Sequence, residues 1–268
     1  MLRDITLGQY LPGNTLVHRL DPRMKIILTI LYIAIIFCVA SPWWYVFPLA
    51  YVLLATKLSG LTAKKLLKSI KPLRFLLLLT FLLNLFFSTG ETIWVQLGFL
   101  KITQEGFVTA IHFAMRLVFL VAGTSILTLT TSPVALSDGI ELLLKPLKVI
   151  RFPAHELAMM MTIALRFIPT LIEEADKIMK AQMARGADFE SGNLLARAKA
   201  MVPLLVPLFV SAFRRAGDLA MAMEARCYHG GEGRTRLRVL KYTKNDLWAL
   251  LITVGILAAT IVCGKWIA

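Results

Sequence analysis

Apolar residues gather into five runs of helical length along the chain, and the polar segments between them differ sharply in character. The runs are Met24–Ala40 (MKIILTILYIAIIFCVA), about Trp43–Ala55, Pro72–Ser88 (PLRFLLLLTFLLNLFFS), about Phe107–Thr130 and Leu247–Gly264 (LWALLITVGILAATIVCG). A helix crosses hydrocarbon with roughly 20 mostly apolar residues, and about 17 is the lower limit. Five membrane-spanning helices are therefore expected. The second run is the weakest, being short and carrying Pro48, and it borrows part of the segment that follows.

Residues 131–243 follow a different pattern. Ser132-Pro133 is a helix-start signal opening an amphipathic stretch, SPVALSDGIELLLKPLKVI, which stops near Pro146 or Pro153. His155–Arg185 then has the length of about eight helical turns. Leu171, Ile172, Ala175, Ile178, Met179 and Met183 recur there at helical spacing. Glu173 with Lys177 and Asp176 with Lys180 place acid before base at i,i+4 on the other face. Pro169 should kink this helix, and Gly186 should end it with Arg185 in its last turn. After the polar connector ADFESGN, a further helix runs from about Leu194 to Tyr228. Its middle, AMVPLLVPLFVSAF, is apolar nearly all round but too short to span, which predicts burial against other helices or a place at the membrane edge. Pro203 and Pro207 should bend it. Gly230 and Gly231 should close it, with Arg226 in its last turns and Arg214 four residues before Asp218.

Composition agrees with a membrane protein. The 268 residues are 57% hydrophobic, with mean hydropathy +0.71, against about 45–50% apolar for a soluble domain. One all-α integral membrane unit is favoured over independent soluble domains. The organisation expected is an N-terminal segment with four spans over 1–130, a cytoplasmic helical region over 131–243 and a last span over 244–268. The net charge of +14 comes from cations beside the apolar runs, a pattern of membrane orientation rather than of nucleic-acid binding. The Lys57–Arg74 link holds Lys57, Lys64, Lys65, Lys68, Lys71 and Arg74 with no acid, whereas Thr89–Gly106 holds only Lys101 as a cation. The basic link is then cytoplasmic, with the N-terminus and residues 131–243 on the same side and the C-terminus outside. No cleavable signal pattern opens the chain. Cys38, Cys227 and Cys263 are dispersed and read as packing residues.

Two arginines share one setting: Ala184-Arg185-Gly186 and Ala225-Arg226-Cys227. A cation suits the C-terminus of a helix, so capping is one reading. The narrow flanks also let a helix tip enter a groove and present a long planar cation, so docking is the other. Eight of the eleven methionines fall between 159 and 223: Met159, Met160, Met161, Met179, Met183, Met201, Met221 and Met223. That concentration favours an adaptable contact surface over core filling alone. His112 and Arg116, four apart in the fourth span, are either a functional pair or a cation that snorkels or bonds a neighbouring helix.

Catalytic patterns are missing. The chain has no GxxxxGK[ST] phosphate loop, no HExxH and no GxSxG, and His18, His112, His155 and His229 are scattered. No enzyme activity, metal or cofactor of its own is expected. A channel or secondary carrier needs polar residues converging in the spans, where Asn84, His112 and Arg116 are the few candidates.

Three stretches carry a family resemblance across nearly the whole chain: GQYLPGNTLVHRLDPRMK, ALRFIPTLIEEADKIMKAQMARG and PLLVPLFVSAFRRAGDLAMAMEARCYHG. They resemble the transmembrane (T) component of energy-coupling factor (ECF) transporters, the vitamin-uptake branch of the ABC family. The paired X-Arg-X motifs are the most specific feature, and Cys227 departs from the usual second glycine. The resemblance implies long cytoplasmic coupling helices whose tips, at Arg185 and Arg226, dock one each on two ATPase subunits that bind ATP-Mg. It also implies a membrane-embedded S component that binds the vitamin and rests on the coupling helices, with Met159, Met160, Met161, Met179, Met183, Met221 and Met223 at that interface. A dedicated T component for cobalt, nickel or biotin would share this architecture, and a channel or secondary carrier with a cytoplasmic bundle is the alternative of a different class.

Overall fold

The computed structural model describes residues 10–88, 92–97, 100–150, 152–187, 189, 193–231 and 239–266. The chain forms two compact units, one of Gly8–Gly139 with Val239–Ala268 and the other built on Ile140–Arg238.

The first unit opens with α1 (Leu16–Arg19) and α2 (Pro22–Cys38). Asp21 starts α2: its carboxylate accepts the Arg23 N–H, and Pro22 occupies the first turn, where no amide is needed. A 3-10 turn over Pro42–Tyr45 leads into α3 (Val46–Ser59). Next come α4 (Ala63–Ile70), a 3-10 bend at Lys71–Leu73 and α5 (Arg74–Phe87). Two short strands, β1 (Ile93–Leu97) and β2 (Leu100–Thr103), then precede α6 (Gln104–Thr130). The C-terminal α10 (Lys244–Trp266) packs on α2. Tyr32, Ile36, Val39, Tyr45, Val52, Ala122 and Ile126 form the core where α2, α3 and α6 meet, and the Tyr32 hydroxyl donates to the Phe119 carbonyl at 2.9 Å.

Among the described residues the molecule is an all-α membrane protein apart from the β1–β2 hairpin, which lies in the segment read as a link. Five helical stretches are long and apolar enough to cross a bilayer: Ala63–Phe87, Gln104–Thr130, Ala154–Ala184, Lys199–Glu224 and Lys244–Gly264. Three of them contain expected spans. Of these, Ala63–Phe87 begins well before the expected Pro72, because the basic link contains the helix α4 and the 3-10 bend after it rather than a loop. The other two expected spans are α2 and α3, of 17 and 14 residues. At about 1.5 Å per residue they reach roughly 26 and 21 Å, short of a hydrocarbon core of about 30 Å. α5 buries none of its residues, and Phe75 and Phe87 stand outward, as a solvent of lipid tails permits.

Arg116 completes the end of α2. Its guanidinium donates to the Val39 carbonyl at 3.5 Å, lies 2.8 Å from His112 Nε2, and faces the rings of Phe37 and Phe113. A helix C-terminus has unpaired carbonyls and negative partial charge, and a cation there answers both. Of the two readings of this pair, bonding to a neighbouring helix is the one observed.

α7 (Pro133–Leu144) is followed by a 3-10 segment over Lys145–Ile150. The second unit is dominated by α8 (Ala154–Ala184) and α9 (Leu194–Glu224), which run on through Pro169, Pro203 and Pro207. Both satisfy the length and apolarity of a span, yet their C-terminal halves are amphipathic. α8 carries Glu173, Glu174, Asp176, Lys177 and Lys180 there, and α9 carries Arg214, Arg215, Asp218 and Glu224.

Candidate coupling surface

α8 and α9 lie antiparallel. Tyr228, just past α9, reaches His155 and Met159 at the start of α8, while Glu174 in the second half of α8 meets Ser211 and Arg215 of α9. The Glu174–Arg215 ion pair is 2.8 Å long. Among the described residues, the acid-before-base pairs Glu173–Lys177 and Asp176–Lys180 do not close into ion pairs, and neither do Arg214 and Asp218. The ion pair between these helices is instead the cross-helix Glu174–Arg215 contact; an exposed i,i+4 pair gains only about 0.3–0.5 kcal/mol.

Both arginines sit in one backbone geometry. Gly186 is left-handed at φ 88°; its N–H bonds the Met183 carbonyl and the Ala187 N–H bonds the Gln182 carbonyl, each at 3.0 Å. Cys227 is left-handed at φ 54°; its N–H bonds the Glu224 carbonyl at 2.8 Å and the Tyr228 N–H bonds the Met223 carbonyl at 3.1 Å. Bond for bond these are two Schellman closures, with the arginine as the residue before the left-handed turn. Cys227 therefore turns as Gly186 does, and it closes α9 in place of the expected Gly230 and Gly231. The helix also stops at Glu224 rather than near Tyr228.

Antiparallel packing sends the two tips in opposite directions. Arg226 lies beside the start of α8 and Arg185 at its far end, roughly 40 Å away at about 1.5 Å per residue. Ala184, Arg185, Gly186, Ala225, Arg226 and Cys227 are all exposed. Among the described residues, neither arginine side chain has a hydrogen bond or ion pair.

The Arg226 tip is braced. His155 Nδ1 lies 2.9 Å from Glu141 Oε1, His155 Nε2 lies 3.3 Å from the Tyr228 hydroxyl, and that hydroxyl lies 2.9 Å from the Met159 sulfur. A side chain with a Cβ resists the left-handed region by roughly 1–2 kcal/mol, and such conformations persist where surrounding contacts over-determine them. Replacing Cys227 by Gly should stabilise this turn by about 1 kcal/mol. Amide hydrogen exchange over 221–231 should then slow, and unchanged or faster exchange would show that Cys227 holds its turn at no cost.

The methionines divide. Met159, Met179 and Met223 are half-buried, whereas Met160, Met161, Met183 and Met221 are exposed. A larger apolar surface lies where burial or a place at the membrane edge was expected. Val202, Leu205, Val206, Phe209, Val210 and Phe213 recur at helical spacing along α9 and stand open, with Phe209 60% and Phe213 75% exposed. Apolarity on all sides read as burial against other helices or a place at the membrane edge; the period within the run was the signal available for a one-sided stripe. In the spans, Asn84 donates to the Thr80 carbonyl of its own helix at 2.8 Å, and His112 and Arg116 are paired with each other. These polar groups are used locally rather than converging on a path. The Gly8 end of the N-terminal motif, most of the ADFESGN connector and the start of the Thr89–Gly106 link lie outside the described residues.

Comparison with known proteins agrees with this architecture. Residues 13–237 match the family described as Cobalt transport protein (CbiQ). The chain is 54% identical to the energy-coupling factor transporter transmembrane protein EcfT of Thermosediminibacter oceani, over 99% of this chain and 100% of that protein. It is 54% identical to the EcfT protein of Acidaminococcus fermentans over 96% of this chain and 95% of that protein, and 48% identical to that of Bacillus subtilis over 97% of each. With these matches along its whole length, and with a membrane unit joined to a long amphipathic helix pair, the chain belongs to the family of energy-coupling factor transporter transmembrane proteins.

Proposed function

We propose that this chain is the energy-coupling subunit of an importer: it joins ATP hydrolysis on two ATPase subunits to substrate release from a membrane-embedded S component. ATP-Mg binds the ATPases, and this chain performs no catalysis. The observation that carries the reading is the pair of matched closures, each presenting an unpartnered arginine, at opposite ends of one helix pair. A single capped helix end is ordinary. Two tips roughly 40 Å apart suit two separate grooves on an ATPase pair. The α9 stripe from Val202 to Phe213, with the exposed Met160, Met161, Met183 and Met221 and the half-buried Met159, Met179 and Met223, is the surface for the S component. An open apolar face of this length otherwise marks an interaction site.

The helix pair and the N-terminus face the cytoplasm and the C-terminus faces out, in a cell membrane. Single-cysteine labelling of intact cells from outside checks this. A cysteine at Thr92 should react and one at Lys65 should not; the reverse pattern overturns the orientation. The function itself is tested by purification in mild detergent from the native host. ATPase subunits and an S component should accompany the chain, whereas transport by the purified chain alone would identify a carrier.

A further inference from the structure

The arginine tips leave one sequence motif without a role: the N-terminal segment that ends in HRLDPRMK. The structure gathers it at one end of the membrane unit, against two separate pieces of chain. On one side, the Leu11 N–H donates to the Leu129 carbonyl at 2.9 Å. The Lys25 ammonium donates to the Thr130 carbonyl at 3.0 Å, and to Thr131 Oγ1 and the His18 carbonyl at 3.3 Å. These bonds occupy carbonyls at the C-terminus of α6 that have no partner within the helix. On the other side, the Asp21 N–H donates to Asp246 Oδ1 at 2.9 Å, and Asp246 Oδ2 accepts the Thr243 N–H and hydroxyl at 2.7 Å each. Arg23 donates to the Leu240 carbonyl at 3.1 Å and to Asp21 Oδ2 at 2.8 Å, and its guanidinium lies 4.2 Å from the centre of the Tyr242 ring. His18 folds the segment back, with Nδ1 2.6 Å from Thr15 Oγ1 and Nε2 3.0 Å from the Leu11 carbonyl.

The two gripped pieces are not arbitrary. Residues 129–131 are where α6 ends, two residues before α7 carries the chain towards the boundary at Gly139. Residues 240–246 are where the chain has returned and α10 begins. A side chain at Gly139 would crowd Pro22 and the backbone of Arg23, so α7 also passes against this motif. Asp21, Lys25 and Asp246 are all at least 95% buried. A buried charge is tolerated only where it is paired or fully hydrogen-bonded, and such a network holds its members in one arrangement.

We propose that residues 11–25 form a clasp that locks the outgoing and returning segments to each other, and that Asp21, Arg23, Lys25 and Asp246 are positioning residues for coupling. Movement of the helix pair enters the membrane unit through these segments. With both held by one rigid segment, it shifts the bundle as a body; with the clasp open, the segments flex and the movement dissipates. This rests on the coupling role proposed above and adds to it the place where force is transferred within this chain.

The test is a distance measurement on the whole complex, with both ATPases and the S component, in lipid nanodiscs. Spin labels are attached to ketone-bearing residues introduced by amber suppression in place of Leu53 and Thr170, so that Cys38, Cys227 and Cys263 stay as they are. The labels report the distance between membrane unit and helix pair with and without ATP-Mg. In the parent, ATP-Mg should shift a narrow distribution. Lys25→Met and Asp246→Asn should broaden it and abolish the shift while the ATPases stay bound and hydrolyse ATP. Thr131→Val, which removes one acceptor from Lys25 and little else, should reduce the shift. A Lys25→Met complex that assembles and shifts as the parent does overturns the clasp. If Lys25→Met fails to assemble, an unchanged shift in Thr131→Val overturns it instead. Absence of any shift in the parent sinks the coupling role itself, and is told apart because it needs no clasp variant.

Discussion

Changing both Arg185 and Arg226 to Glu is expected to abolish co-purification of the ATPases and uptake together. Each arginine that enters an acidic groove makes charge-assisted hydrogen bonds in a partly desolvated site. Truncating one partner there costs about 2–5 kcal/mol, because the other charge is left unpaired. Helix capping alone predicts about 0.3–1 kcal/mol, lost from folding rather than from assembly. The magnitudes separate the two roles: 2–5 kcal/mol is roughly a 30- to 5,000-fold weakening of binding, and capping stays within about fivefold. Opposed tips add a finer expectation. Arg185→Ala or Arg226→Ala alone should loosen one ATPase subunit and leave the other tip engaged, so single variants weaken coupling and the double variant ends it. Insertion of the membrane unit should be unaffected, since both arginines lie in the other compact unit. Wild-type uptake and ATPase recovery in the double variant would make these arginines ordinary helix ends.

A carboxylate placed on the open stripe of α9 should release the S component while the ATPases remain. Phe209→Asp with Phe213→Asp removes the two largest rings from the stripe and sets unpaired charges where an apolar partner would close over them. Loss of an aromatic anchor at an interface centre typically costs about 2–4 kcal/mol, and a buried carboxylate without a partner adds to it. The neighbouring methionines provide the contrast. Leu at Met160, Met161 and Met221 keeps apolar volume, at a cost usually under about 1.5 kcal/mol, and removes flexibility. Some S partners should then be lost before others. Quantitative recovery of the S component with the Asp variants would show that the stripe faces lipid or another surface. Equal retention of every partner by the Leu variants would reduce the methionine cluster to packing.

The all-α membrane class was legible in the sequence because twenty-residue apolarity is a local property of the chain. The same holds for the start of α7 at Ser132-Pro133, the stop of α8 at Gly186, and the arginines themselves. Each depends on neighbours within a turn or two of helix, where steric and hydrogen-bond preferences act directly. Misreadings arose where a residue's state depends on distant partners. Apolarity all round α9 does not say which side is covered, so burial against other helices and a place at the membrane edge both stayed open until the structure left the run uncovered. Acid-base pairs at i,i+4 were legible as spacing, yet Glu174 pairs with Arg215 on the facing helix.

The hairpin between α5 and α6 was hidden for a related reason: nine strand residues with one cation looked like a link when the partner strand was not considered. What the sequence by itself determined is the class, the run of helices and the chemical identity of the two tips. Only tertiary structure decided that the tips point apart, because direction comes from the antiparallel register of α8 on α9. It also decided that a cysteine holds the second turn, where Tyr228 reaches His155 and Met159. And it joined Lys25 to Thr130 and Asp21 to Asp246, pairs separated by 105 and 225 residues, which no local preference can encode.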